Sequence, residues 1–185
     1  ALLEGSAGFG APVAVTAFLI VGLGFEPRLA VLVCLIANTA PVAFGGIGVP
    51  IIALAGVTGL EVMKLSAMVG RQLPFLALVL PAYLVWVVGG RRGLGRAWPA
   101  ALVAGLSFAT VQFLVSNLWG PYATDVLSSL ASIVATVAFL RVWSPNQSGS
   151  ASAPAAAPPP DGAGRLSARE AVAGWLPWAL ISAAM

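Results

Sequence analysis

Apolar residues run through this chain in long blocks, separated by short polar or glycine-rich breaks. Three blocks, at residues 73–88, 98–119 and 126–143, approach the roughly 20 apolar residues that a membrane-spanning helix needs. Pro81 interrupts the first of them, which a membrane helix accommodates as a kink. The pattern predicts an all-α polytopic membrane protein whose transmembrane helices occupy the middle of the chain.

The first sixty residues show a different pattern of shorter apolar runs. Residues 11–24 are too few to cross a membrane alone, residues 29–44 carry Asn38, Thr39 and Pro41 near their end, and "GGIGVP" precedes the short run 51–57. Broken backbone at membrane depth lines a cavity or lies inside protein, and in transporters it marks the binding site. We therefore expect interrupted half-helices or re-entrant hairpins near the N-terminal end.

The polar breaks predict domain boundaries and an orientation. The segment "GGRRGLGR" places three arginines on the cytoplasmic side, whereas "GPYATD", with Asp125, is predicted as an outward-facing loop. The stretch "NQSGSASAPAAAPPPDGAG" has the composition of a disordered spacer. We interpret residues 1–143 as a transmembrane transporter region, 144–170 as a cytoplasmic linker and 171–185 as a truncated transmembrane helix, all within an internal piece of a longer protein.

Composition excludes several classes of function. Hydrophobic residues make up 59% of the chain, charged residues 8%, and the mean hydropathy is +0.98, against about 25% charged residues in a soluble domain. With no histidine and one cysteine, Cys34, the chain offers no histidine-based zinc site and no Ser-His or Cys-His catalysis. We expect no enzyme activity, cofactor, metal or nucleic-acid partner, and any proton handling falls to carboxylates.

The stretch "EGSAGFGAP" places one carboxylate, Glu4, beside three glycines and a proline. Glycines allow a sharp turn and a close approach to a ligand, and the amides of the following half-helix suit an anion. Glu4 is then a candidate proton carrier, because a charge inside a membrane usually has a function. The alternative, about equally favoured by these residues, is tight helix packing with Glu4 at a wet boundary.

Two further stretches carry polar side chains in apolar surroundings. In "ANTAPVAFGG", Asn38 and Thr39 offer an amide and a hydroxyl to a small polar substrate, or serve ordinary interhelical hydrogen bonds. In "GRQLPF", Arg71 with Gln72 suits a carboxylate clamp, although an interfacial anchor is the favoured interpretation of Arg71. Glu61 and Lys64, three residues apart, are interpreted as a solvated helical pair.

Four motifs together resemble the bacterial L-lactate permease family, which includes glycolate permeases. They are "EGSAGFGAPVAVTAFLIVGLGFEP", "CLIANTAPVAFGGIGVP", "MVGRQLPF" and "SNLWGPYATDVLSSL", in this order over roughly the first three quarters of the chain. Ser6 departs from the alanine expected there and adds a hydroxyl near the proposed site. The resemblance implies a proton-coupled symporter of L-lactate and related 2-hydroxy monocarboxylates, multi-pass in the bacterial inner membrane and in contact with lipid.

The resemblance and the motifs together give the site prediction. Glu4 is the predicted proton-coupling residue, because loading a proton together with the anion makes the moving load electrically neutral and avoids carrying net charge through a low dielectric. The predicted substrate-binding residues are Gly5, Gly8, Phe9, Gly10, Asn38, Thr39, Arg71 and Gln72. The rival hypotheses are a carrier for another small organic anion, an intramembrane enzyme with Glu4 as base, and a passive channel.

Overall fold

The computed structural model describes residues 1–8 and 10–143. Phe9, the predicted linker and the predicted truncated helix lie outside the described residues. The described part is helical and contains no strand: its elements are α1 (Leu2–Ala7), α2 (Ala11–Gly22), α3 (Pro27–Ala37), a 3₁₀ turn (Val42–Phe44), α4 (Gly45–Thr58), α5 (Val62–Leu118) and α6 (Thr124–Val142). The predicted all-α class is confirmed.

Helix α5 is a hairpin of two arms. A straight helix of its 57 residues would be about 85 Å long, almost three times the hydrocarbon thickness of a bilayer. Gly90 breaks it with φ 60° and ψ −162°, a conformation that essentially only glycine adopts. The arms then pack back on each other, since Gly105 lies against the carbonyl of Leu78 and Ser66 Oγ donates to the carbonyl oxygen of Ser116 at 2.8 Å.

This hairpin corrects the predicted boundaries. We predicted two spans joined by a loop over "GGRRGLGR", but this segment is helical on both sides of Gly90, and the first arm begins at Val62 rather than at residue 73. A single glycine therefore makes the turn that the arginine-rich stretch was expected to make. The predicted span 126–143 agrees with α6 to within two residues at its start and one at its end.

By length and apolarity, α5 and α6 are each able to cross a membrane, and a bent pair formed by α3 and residues 42–58 qualifies as a broken span or a re-entrant loop. The two members of the pair meet at 66°. Helix α2 is a shorter apolar helix. These elements confirm the predicted contrast between interrupted half-helices in the first sixty residues and complete spans after them.

The break in "GGIGVP" has an unusual backbone. Gly46, Ile47 and Gly48 are three successive residues in the left-handed region, with φ of 53°, 59° and 79°. Such a run reverses the helical sense for one turn, and glycine at two of the three positions keeps its cost low. Val49 and Pro50 follow, and the regular part of α4 begins with them. The bend is therefore encoded locally.

Candidate functional site

The short helix α1 lies between the beginnings of α4 and α6, and its glycines make this possible. A Cβ added to Gly5 would lie 2.9 Å from Cβ of Asp125 on α6. On the other side, a Cβ added to Gly8 would lie 2.7 Å from the backbone nitrogen of Gly46. Any larger residue at these positions would push the helices apart, so glycine here serves close backbone packing, one of the two roles predicted for it.

Glu4 is buried at this junction, with 1% of its surface exposed. Its side chain points toward the start of α4, where a Cβ on Gly45 would lie 2.9 Å from Oε1 and 3.2 Å from Cγ. Oε2 is buried and has no hydrogen-bond partner. The alternative of a wet boundary is not what the structure has, because a carboxylate at such a boundary would be solvated. The packing alternative and the proton-carrier hypothesis both remain compatible with this placement.

Asp125 is the residue that the sequence analysis misplaced. We predicted it in an outward-facing loop, but it lies in the first turn of α6 with 1% of its surface exposed. The helix begins at Thr124, whose Oγ1 donates to the carbonyl oxygen of Gly120 at 2.8 Å. This start turns Asp125 inward against α1. Both of its carboxylate oxygens are buried without a hydrogen-bond partner.

A spacing on α6 contained the missed signal. Asp125, Ser129, Ser132 and Thr136 recur at intervals of four, three and four residues, which places them on one face of a helix. An isolated polar stripe on an apolar helix faces protein or water rather than lipid. The stripe indicates that the start of α6 faces protein. The loop was predicted only from the run of glycine, proline and polar residues before it.

Asn38 and Thr39 end α3 at the break. Asn38 is half-buried, and Thr39 is exposed with its Oγ1 donating to the carbonyl oxygen of Ile36 at 2.7 Å. The hydroxyl of Thr39 is therefore occupied by its own helix end in this arrangement. The next carbonyl, that of Ala40, accepts from Nε2 of the fully buried Gln112 at 3.5 Å. Gln112, whose Oε1 is unpartnered, is a second polar residue that the sequence analysis did not single out.

Arg71 and Gln72 lie on the exposed side of the first arm of α5, in an open groove with Lys64, Ala67 and Met68. Arg71 Nε donates to Asn117 Oδ1 on the second arm at 3.1 Å. This bond fixes the base of the guanidinium and is compatible with an anchor or a clamp. The hydrogen-bond partner of Arg71 and the residues that line the groove with it all belong to the α5 hairpin.

The remaining predicted positions have simple surroundings. Gly10 precedes α2 with φ 79°, and a Cβ there would meet nothing within 4 Å. The hydroxyl of Ser6 donates to carbonyl oxygens of its own helix, at 3.1 Å for Leu2 and 3.3 Å for Leu3. Lys64 and Glu61 form the predicted exposed pair at 3.2 Å. Cys34 is a buried free thiol, and the described residues hold no cluster of three or more metal-ligating side chains.

The chain is similar to named permeases over most of its length. It is 58% identical over 145 residues to the L-lactate permease of Bacillus subtilis (strain 168) and 57% identical over 145 residues to the glycolate permease GlcA of Escherichia coli (strain K12). The L-lactate permease of Escherichia coli (strain K12) is 51% identical over the same length. Each alignment covers 78% of this chain and 26% of the relative, so the chain spans about a quarter of the length of these relatives.

No solved structure matches the chain. The family comparison is decisive instead, because the sequence model of the family described as L-lactate permease matches residues 1–185, the whole chain. The chain belongs to the L-lactate permease family.

Proposed function

We propose that this chain forms part of a proton-coupled symporter that carries L-lactate, glycolate and related 2-hydroxy monocarboxylates across the bacterial inner membrane. Family membership and the names of the similar permeases support the choice of substrates. The spanning helices α5 and α6 support the membrane location. The chain is one part of the transport path, and the remaining walls of the site come from the rest of the permease.

The single observation that carries the coupling proposal is the buried, unpartnered oxygen of Glu4 at the α1–α4 junction. An ionised carboxylate that is removed from water without hydrogen-bond donors is costly, and proton uptake removes that cost. A monocarboxylate anion next to a protonated Glu4 leaves one negative charge at the site, whereas the same anion next to an ionised Glu4 would leave two. Loading of the anion and of the proton would then favour each other.

The proposed substrate contacts surround the two backbone breaks. Gly10 brings bare backbone to the front of α2, where amides at a helix N-terminus suit a carboxylate, and Gly5 and Gly8 contribute by letting α1 pack closely on α6 and α4. Asn38 and Thr39, at the end of α3, supply the amide and hydroxyl groups that recognise a 2-hydroxyl. Phe9 is proposed as a substrate contact from the motif alone. Arg71 and Gln72, on the α5 hairpin, are proposed to contact the carboxylate of the substrate.

Alternating access fits the arrangement of the short helices. In transporters with discontinuous helices, one bundle moves against another around a fixed midplane site. Helix α1 contacts α4 on one side and α6 on the other through glycine backbone. A neutral Glu4 permits α1 to slide against these helices at lower electrostatic cost than an ionised one. Protonation would thereby control the movement.

The test uses the whole permease containing this chain, reconstituted in proteoliposomes. We expect an inward proton gradient to drive accumulation of labelled L-lactate, and Glu4→Gln to abolish this accumulation while lactate–lactate exchange continues. Glu61→Gln is the matched control, because Glu61 is an exposed carboxylate with 61% of its side chain accessible. Uptake that ignores the proton gradient would indicate a channel or uniporter, and uptake of other organic anions in place of lactate would exclude the proposed substrate.

A further inference from the structure

We propose that Asp125 is a second proton-binding residue of the coupling site, separate from Glu4. The inference deepens the proposed function and rests on it. Asp125 was predicted from the sequence to lie in a loop, and its proposed role follows from its burial and its neighbours. Its consequence is that transport moves one proton more per anion than Glu4 alone would carry.

The burial of Asp125 is the first step. Asp125 has 1% of its surface exposed, and both Oδ1 and Oδ2 lack any hydrogen-bond partner. A permanently ionised aspartate in a folded protein normally accepts several hydrogen bonds or pairs with a cation. Asp125 takes part in no ion pair within the described residues. A bound proton satisfies it more simply, since a neutral carboxyl has far less need of donors.

The position of Asp125 at a helix N-terminus gives it a second accessible state. It occupies the first turn of the 19-residue helix α6, where the helix dipole favours negative charge. Burial favours the neutral form and the helix terminus favours the ionised form. A residue held between these opposing influences can take up and release a proton within a transport cycle, which a carboxyl in a purely apolar pocket does less readily.

The surroundings of Asp125 connect it to the Glu4 site. The charged side chain that acts on it electrostatically is that of Glu4 on α1. Helix α4, which also packs on α6, has no ionisable side chain. Lys64 and Arg71 of α5 are exposed and engaged by Glu61 and Asn117.

Gly5 separates the two carboxylates, with Asp125 packed on its Cα and Glu4 directed to α4. They are therefore neighbours on different faces of α1, and each can hold its own proton.

The polar stripe of α6, formed by Asp125, Ser129, Ser132 and Thr136, supplies an independent observation. Ser129 Oγ and Thr136 Oγ1 are buried and have no hydrogen-bond partner, whereas Ser132 Oγ donates to the carbonyl oxygen of Ala104 at 2.9 Å. From Asp125 to Thr136 the helix rises about 16 Å, which is roughly half the hydrocarbon thickness of a bilayer. Hydroxyls with free hydrogen-bonding capacity, in line with a buried carboxyl, are suited to passing a proton to it.

The number of protons moved with each anion distinguishes coupling by both Glu4 and Asp125 from coupling by Glu4 alone. Each carboxyl binds one proton, so two coupling carboxyls move about two protons per monocarboxylate and a net positive charge inward. Glu4 acting alone moves about one proton and no net charge. Uptake would therefore respond to membrane potential as well as to the pH gradient.

The experiment measures the proton-to-lactate ratio of the whole permease in proteoliposomes, from the membrane potential and pH gradient at which net flux of labelled L-lactate is zero. We expect a ratio of about two for the unaltered permease and about one for Asp125→Asn, with lactate–lactate exchange changed less than about threefold. Glu61→Gln, the exposed control, should keep the unaltered ratio. An Asp125→Asn ratio equal to that of the unaltered permease would overturn the inference alone, and so would loss of exchange in a correctly folded variant.

A second measurement covers the case in which Asp125→Asn does not fold. Hydrophobic carbodiimides modify protonated carboxyls in apolar surroundings, and mass spectrometry locates the adduct in the unaltered permease. We expect modification of Asp125 that declines as the pH rises, and none of Glu61. An unmodified Asp125 would overturn the inference. Absence of any L-lactate uptake by the unaltered permease would instead overturn the proposed function, and this inference with it.

Discussion

Gly5 and Asp125 touch through backbone and side chain: a Cβ added to Gly5 would lie 2.9 Å from Cβ of Asp125 and 3.1 Å from the backbone nitrogen of Val126. This contact joins a six-residue helix, too short to be stable alone, to a spanning helix. It also covers Asp125 from the side of α1. The burial of Asp125 therefore depends on Gly5, the residue after Glu4, having no side chain.

Gly5→Ala should destabilise this junction. The added methyl meets atoms on the first turn of α6, which include backbone and cannot move aside alone, so overpacking of about 1–3 kcal/mol is expected. A thermal-denaturation assay of the purified permease measures the effect as a lower midpoint. Gly56→Ala is the control, because a Cβ there meets nothing within 4 Å. Equal midpoints for the two variants would contradict the packing described here.

Gly90→Ala should weaken the α5 hairpin through the backbone alone. The position has φ 60° and ψ −162°, and a Cβ there contacts nothing within 4 Å. Holding a residue with a Cβ in this region costs about 1–3 kcal/mol. The neighbouring Gly89→Ala, equally free of contacts and without a positive φ, should be neutral or slightly stabilising. The thermal midpoints of the two variants test this directly, and a harmless Gly90→Ala would show that the turn lies elsewhere.

Ile47→Gly should raise the thermal stability. Ile47 is a β-branched residue with φ 59°, and 55% of it is exposed in the described chain, so its replacement loses little burial. Release from the left-handed region is worth about 1–2 kcal/mol, partly offset by the greater chain entropy of glycine. Ile52→Gly, within the regular part of α4, should lower the midpoint. A fall for both variants would contradict the strain at residue 47.

Arg71→Lys tests the proposed carboxylate contact. Nε of Arg71 is engaged by Asn117, which leaves the guanidinium's terminal amino groups to form a fork toward an anion. Lysine retains the charge but cannot reproduce the fork, so we expect the KM for L-lactate to rise about tenfold. Arg28→Lys, an exposed arginine at the start of α3, is the control. An unchanged KM with lower amounts of inserted protein would favour the interfacial anchor.

Several features of the fold were predictable because they are local. Apolar blocks near 20 residues indicated the spans, and the end of α6 differs from the prediction by one residue. Glycine and proline indicated the front breaks, which the left-handed turn at residues 46–48 and the 66° bend confirm. The boundaries of the α5 arms were less predictable, because an arginine- and glycine-rich stretch can form either a loop or a helix, and packing between the arms decides which.

The sequence by itself determined the class of the protein, the contrast between spanning and interrupted helices, and the carboxylate at Glu4 as the group to consider for protons. Each follows from composition and short-range spacing, on which membrane insertion and helix breaking depend. Only the tertiary structure decided that Asp125 is buried beside α1, that Gln112 reaches the carbonyl of Ala40, and that Arg71 meets Asn117. These are contacts between residues distant in the chain, and the close approach of backbones that creates them depends on which helix faces meet.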